Sequence, residues 1–207
     1  MKDLYALFRH SLAGLRMLLA ATVVCGVAYP LLVTGVAQVV FPWQADGSLV
    51  TEGGEHADSA DEAVGASLIG QLTESDGLFH PRPSAAGDGY DLLSTYGSNH
   101  GPESAELVEA IEERRSEVAA REGVEPAQVP VDALTASGSG IDPHISEAYA
   151  DLQVSRVAAS TGLSEDEIRR LVLAHTEGRT WGVLGETRVN VLRLNIDVLA
   201  ASGGGAG

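Results

Sequence analysis

Cys25 is the only cysteine and Lys2 the only lysine among the 207 residues. A single thiol excludes an internal disulfide, so the fold rests on its own core. Hydrophobic residues at 44% make that core available. The shortage of lysine excludes the phosphate-binding loop GxxxxGK[ST]. The motif DKTGT, the nucleophile elbow GxSxG and any internal repeat are also missing. The formal net charge of −16 argues against a nucleic-acid partner, because neutralising phosphates takes clustered Lys and Arg.

Charge of both signs is absent from Met17 to Ala45, and basic charge is absent from there to Arg82. About 20 apolar residues cross a bilayer, so the sequence predicts a retained transmembrane helix over 17–41. The apolar region of a cleaved signal peptide is shorter, about 7–15 residues. Arg16 before the span and Phe41 and Trp43 after it mark the two membrane interfaces. Residues 1–41 carry Lys2, Arg9 and Arg16 against Asp3, a net of +2, which leaves −18 for residues 42–207. The positive-inside rule then places residues 1–16 in the cytoplasm and the rest of the chain outside, a single-pass protein in the lipid bilayer.

Beyond the span, 42–63 reads as an acidic linker and 64–200 as a small extracytoplasmic α+β domain, with 201–207 a disordered tail. VGASLIGQL at 64–72 suits a strand, and the Gly/Pro/Ser-rich stretch 79–102 an extended loop. Helical periodicity predicts a helix over Glu103–Glu122, with Leu107, Val108, Ile111 and Val118 inward. A second runs from His144 to Ser160, with Asp142 near its N-cap and Pro143 at N1. A third opens at the capping box Ser164–Glu167 and ends at Gly178. The last segment, 181–199, contains an alternating strand through Val189 and Val191.

The densest chemistry lies in TASGSGIDPHIS, residues 135–146. Ser137 or Ser139 as nucleophile, His144 as base and Asp142 as orienter would make a membrane-anchored extracellular serine hydrolase. The competing reading is a Gly-Ser turn feeding a helix start, with no reaction. His80, His100 and His144 lack ligand-type spacing, so no metal is expected. Arg82, stiffened between Pro81 and Pro83, is suited to hold a carboxylate, internal or on a partner.

FHPRPSAAG (79–87), GSNHGP (97–102), VPVDALTASGSGIDPHIS (129–146), QxxRVA (153–158) and LGETRVNVLRLN (184–195) follow one N-terminal span in that order. This pattern closely resembles the C subunit of the Kdp potassium-transporting ATPase. The resemblance implies a non-catalytic accessory subunit of an ATP-driven potassium uptake complex in a bacterial plasma membrane. Its partners would be a channel-like potassium-conducting subunit, a P-type ATPase catalytic subunit and a small single-span subunit. The complex would handle ATP and K⁺, and the C subunit would act as a catalytic chaperone that raises ATP affinity. The family's QxxRVA has been likened to a nucleotide contact, which would point to Gln153. An external domain cannot meet cytoplasmic ATP, so the topology favours an indirect effect from the outer face. The loops carrying Arg82, Ser84, Ser98, Asn99, Ser137, Ser139, Asp142 and His144 are expected to dock against the partners.

Overall fold

The computed structural model describes residues 2–203 and divides at Ser48/Leu49 into two units. The first unit is helical. Helix α1 (Lys2–Val23) continues through a π turn (Val24–Ala28) into α2 (Tyr29–Val40), followed by the short α3 (Pro42–Ala45). Among the described residues one helix is long and apolar enough to cross a membrane, Leu4–Val40, with a mean hydropathy of 2.1 in its most apolar stretch. Helical structure therefore starts well before the apolar run, because KDLYALFRHSLAGLR consists largely of residues that favour a helix. The π turn immediately precedes Tyr29-Pro30. A proline ring clashes with the carbonyl four residues back, here Gly26, and a wider turn relieves that clash.

The second unit mixes helix and sheet. Strand β1 (Leu49–Val50) pairs antiparallel with β2 (Gly65–Ala66). The acidic stretch 46–63 thus contains a strand, and Val50 and Ala57 within it are buried. Of the strand expected over 64–72, only Gly65–Ala66 forms. Helix α4 (Ala105–Glu122) is capped by Ser104, whose side chain accepts from the Leu107 amide. Its Val118 and Ala119 are buried, whereas Val108 faces solvent.

Two single-turn 3-10 helices, Pro126–Gln128 and Val131–Ala133, lead towards β3 (His144–Ile145). Helix α5 (Glu147–Thr161) then packs on α6 (Glu165–Ala174). β4 (Thr176–Glu177) and β5 (Arg188–Asn190) precede the final helix α7 (Val191–Ala201). β5 lies at the centre of a three-stranded antiparallel sheet, β3-β5-β4, with His144 opposite Asn190 and Thr176 opposite Val189. The core gathers Phe79, Ile145, Tyr149, Val154, Ile168 and Leu194 from across this unit.

Three expectations are corrected. α5 starts at Glu147 because β3 occupies His144–Ile145, and Ser146 caps the helix by accepting from the Tyr149 amide. Asp142 is therefore not the cap. α6 ends at Ala174, short of Gly178, because Thr176–Glu177 join the sheet. The strand expected through 181–199 survives only as Arg188–Asn190; the Asn190 side chain accepts from the Arg193 amide and turns the chain into α7. Buried Val191, Leu194 and Val198 then recur at helical spacing. The expected disordered tail lies, from Gly204 onward, outside the described residues.

Candidate functional site: two interlocked loops

Residues 79–84 run extended across the unit and are gripped from both sides by primary amides. Asn195 of α7 accepts from the Phe79 amide at 2.7 Å and donates to the Phe79 carbonyl at 2.9 Å. Gln153 of α5 repeats the pattern one residue on, accepting from the His80 amide at 2.7 Å and donating to its carbonyl at 3.1 Å. A carboxamide carries a donor and an acceptor side by side, so it can replace a neighbouring strand for one residue. Gln153 is fully buried.

Arg156 fastens the same region. Its guanidinium donates to both Glu122 oxygens (3.1 and 2.9 Å), to the carbonyls of Asp76 and Leu78, and to Gln153 Oε1 at 2.7 Å. The Glu122 side chain has no exposed surface and also meets Arg121 at 2.9 Å. Arg121 in turn donates to the Tyr149 hydroxyl at 3.0 Å. Burial disfavours charge on Arg121, but the Glu122 carboxylate outweighs it and the pKa rises. His80 lies beside this cluster. Burial first, then the positive charges of Arg121 and Arg156, lower its pKa from 6.5 to about 4, so the ring is neutral at neutral pH.

The next residues of the extended segment tie it to the 135–146 loop. Arg82 pairs with Asp142 at 3.0 Å and donates to the Thr135 carbonyl. The Tyr90 hydroxyl closes back onto the Arg82 carbonyl at 2.6 Å. Ser84 Oγ donates to the Gly140 carbonyl at 2.6 Å and accepts from the amides of Ala86 and Tyr90. Ser137 is buried, and its Oγ accepts from the Gly140 amide; Ser139 Oγ accepts from Ile141. Gly140 has a φ of +74°, and a Cβ there would fall 2.6 Å from the Ala86 methyl and 2.9 Å from the Tyr96 carbonyl. Gly97 approaches Gly138 closely enough that its Cβ would lie 3.1 Å from that carbonyl.

Asp142 also accepts from the His144 amide at 3.0 Å. Burial pushes its pKa up, but the hydrogen bonds from His144 and the charge of Arg82 prevail and hold it below 3.8. The structure thus brings Arg82, Ser84, Ser137, Ser139, Asp142 and His144 into one layer. Asp142 lies 3.5 Å from the His144 ring Nδ1 as well as bonding its amide and Arg82, but among the described residues no hydrogen bond joins either serine to His144. Ser98 and Asn99 stand exposed on the adjoining loop, Asn99 in a left-handed conformation with φ +55°. Gln153 lies apart, against His80. Arg16, Phe41 and Trp43 belong to the first unit. Among the described residues no group of His, Cys, Asp and Glu could hold a metal ion.

The family described as KdpC, K⁺-transporting ATPase, c chain, matches residues 11–200. The chain belongs to this family. A potassium-transporting ATPase KdpC subunit of Kineococcus radiotolerans is 50% identical over 196 residues, 95% of this chain and 96% of that one. Relatives carrying the same description in Koribacter versatilis and Mycobacterium tuberculosis are 43% and 46% identical, each over 190 residues, 92% and 91% of this chain. The family assignment draws attention to residues that periodicity passed over. Asn195 and Arg156 lie within LGETRVNVLRLN and QxxRVA, and Gln153 and Arg156 share one face of α5 three residues apart. Tyr90 and Glu122 carried no sequence signal, because their role depends on contacts 8 and 34 residues away.

Proposed function

We propose that this chain is a non-catalytic accessory subunit of an ATP-driven potassium uptake complex, anchored by one helix with its α+β unit on the outer face. One observation carries the reading: apart from the exposed Ser98 and Asn99, the polar residues named from the motifs bind groups of their own chain. Gln153, Arg156, Ser84 and Ser137 bind backbone groups of their own chain, and Asp142 binds Arg82. Such side chains build a rigid body for docking and leave no nucleophile with its base. A nucleotide contact at Gln153 would first have to displace two hydrogen bonds to His80 in a fully buried position. An effect on ATP affinity is therefore indirect: the subunit contacts two states of its partners unequally and shifts their balance. The basic residues before the span and the −18 charge after it support the outward orientation.

The test is Ser98→Cys in a Cys25→Ser chain, labelled in intact cells with a membrane-impermeant thiol reagent. Labelling without permeabilisation is the expected outcome, and protection until the cells are opened refutes the orientation. Isolation from native membranes should bring down a P-type ATPase chain and a channel-like chain together with this one. Recovery of the chain alone refutes the accessory role.

A further inference from the structure

Around the β1–β2 pair, an apolar groove of about 520 Å³ runs between two segments of the chain. Val64, Ile69 and Leu72 line one wall, Tyr90 and Leu92 the other. Of its lining leucines Leu72 is 58% exposed and Leu92 57%, and their chain neighbours add exposed apolar surface, Leu68 next to Ile69 at 61% and Leu93 next to Leu92 at 99%. Scattered exposed leucines need no explanation, but a continuous groove with apolar lips marks an interaction surface.

Acidic side chains predominate in the two segments that form the groove, and the arginines Arg82, Arg114 and Arg121 line the adjoining pocket that shares Leu72, Gly89 and Tyr90 with it. Residues 42–81 and 83–113 contain no Lys or Arg, and all the lining residues fall within these two stretches. Asp58, Asp61 and Glu62 are exposed next to one wall, and Asp88 and Asp91 next to the other. Like charge would repel a second copy of this surface as well as a membrane rich in anionic headgroups. A complementary occupant has an apolar ridge flanked by Lys or Arg.

We infer that this groove receives an apolar segment, bordered by basic residues, from another protein chain of the same potassium pump. The inference rests on the accessory-subunit reading and gives that reading a docking face. Burying the leucines supplies the affinity, while the acidic rim sets orientation and association rate and makes the contact weaken with salt.

Two measurements on the full chain, co-expressed with the other pump chains and purified in detergent, test it. Leu93 and Leu72 are replaced singly by Asp, with Leu173→Asp on α6, also exposed, as the control. Thermal unfolding of each variant verifies that its fold is intact. Leu93→Asp and Leu72→Asp should lower the yield of co-purified pump chains roughly tenfold or more, since a buried apolar anchor at an interface contributes on that scale. Asp61→Lys with Glu62→Lys should lower it at low salt and abolish the wild-type decline as salt is raised, and Leu173→Asp should leave it unchanged. Separately, a benzophenone photo-crosslinker in place of Leu93 should form an adduct with another pump chain at an apolar stretch next to Lys or Arg.

Folded Leu93→Asp and Leu72→Asp variants that retain the pump chains at the wild-type level overturn the inference. So does an adduct with a second copy of this chain, with lipid, or with an acidic segment. If the wild-type chain itself brings down no pump chain, the accessory-subunit reading fails instead, so the two failures are distinguishable.

Discussion

Glu122 and Arg156 are the residues whose surroundings leave least freedom. A buried ion pair is often no better than a hydrophobic pair of similar shape, but removing one partner strands the other in a medium that cannot hydrate it. Arg156→Met removes one of two guanidiniums facing a fully buried carboxylate and leaves the carbonyls of Asp76 and Leu78 without this donor. Because Arg121 still faces the carboxylate, the expected loss is about 1.5–3 kcal/mol, the scale for hydrogen bonds to a charged group, measured by urea unfolding of the purified chain. Glu122→Gln together with Arg156→Met should destabilise by less than the sum of the single changes, because both remove the same bonds between these two side chains.

His80 gives this region its pH dependence. Its pKa is 6.5 in the unfolded chain and about 4 in the folded one. Above pH 6.5 the ring is neutral in both states and contributes nothing to the balance. Between 6.5 and 4 only the unfolded chain takes up the proton, so stability falls as pH drops through that window and levels off below it. Asp142, with its pKa held below 3.8, loses its contribution only at lower pH. His80→Asn keeps the backbone hydrogen bonds to Gln153 and should flatten the unfolding midpoint between pH 6.5 and 4. An undiminished slope in that variant would assign the dependence to other groups.

At the scale of elements, the interlock between the two loops depends on Gly140 more than on any polar side chain. Its positive φ disfavours any L side chain, and the added methyl would meet the Ala86 methyl and amide and the Tyr96 carbonyl, two of these three being backbone atoms. Gly140→Ala is expected to cost about 1–3 kcal/mol, the scale for local backbone strain. Thermal unfolding measures the cost, and hydrogen exchange should show faster opening confined to residues 82–102 and 135–146. Gly89→Ala, whose Cβ would meet no atom within 4 Å, isolates the cost of positive φ alone.

The same scale explains what the sequence made legible. α4 and α5 are amphipathic, closed by Gly123 and Gly162 in left-handed conformations, and their capping serines occupy the expected kind of position. Such local signals survive in one dimension. The loop character of 79–102 was legible for the same reason, through its Gly, Pro and Ser. What failed depended on distant partners. His144–Ile145 form a strand only because β5 lies alongside, 45 residues later, and nothing in DPHIS announces that pairing. Val189–Leu194 alternates well enough to pass for a strand, and the deciding signal was Asn190, which caps α7 while its Nδ2 donates to the Ser67 carbonyl. The candidate loop residues were legible as a group, since polar and glycine-rich segments of this length rarely lack a role. Their mutual bonding was not, because Arg82 and Asp142 stand 60 residues apart.

For the whole molecule, a long apolar helix is joined to a unit that contains its own core. The hydrophobic cluster from Phe79 to Val198 lies entirely within residues 49–207, and both sheets close within the same stretch. Apolar burial is the dominant favourable contribution to folding, so a unit that encloses its cluster can fold without the membrane. A chain consisting of residues 49–207 should therefore be monomeric in dilute buffer and unfold in urea as one cooperative transition. Its slope should fall near 1–3 kcal/mol per molar, the range for small domains. Tryptophan fluorescence is a poor probe, because Trp43 lies outside the fragment and Trp181 is already 87% exposed in the folded state. Far-ultraviolet circular dichroism and Tyr149 absorbance, the latter reporting a fully buried ring, should trace one coincident curve. Separate midpoints for the two signals would mean that the helix or its attachment completes the core, and that the unit is not an autonomous domain.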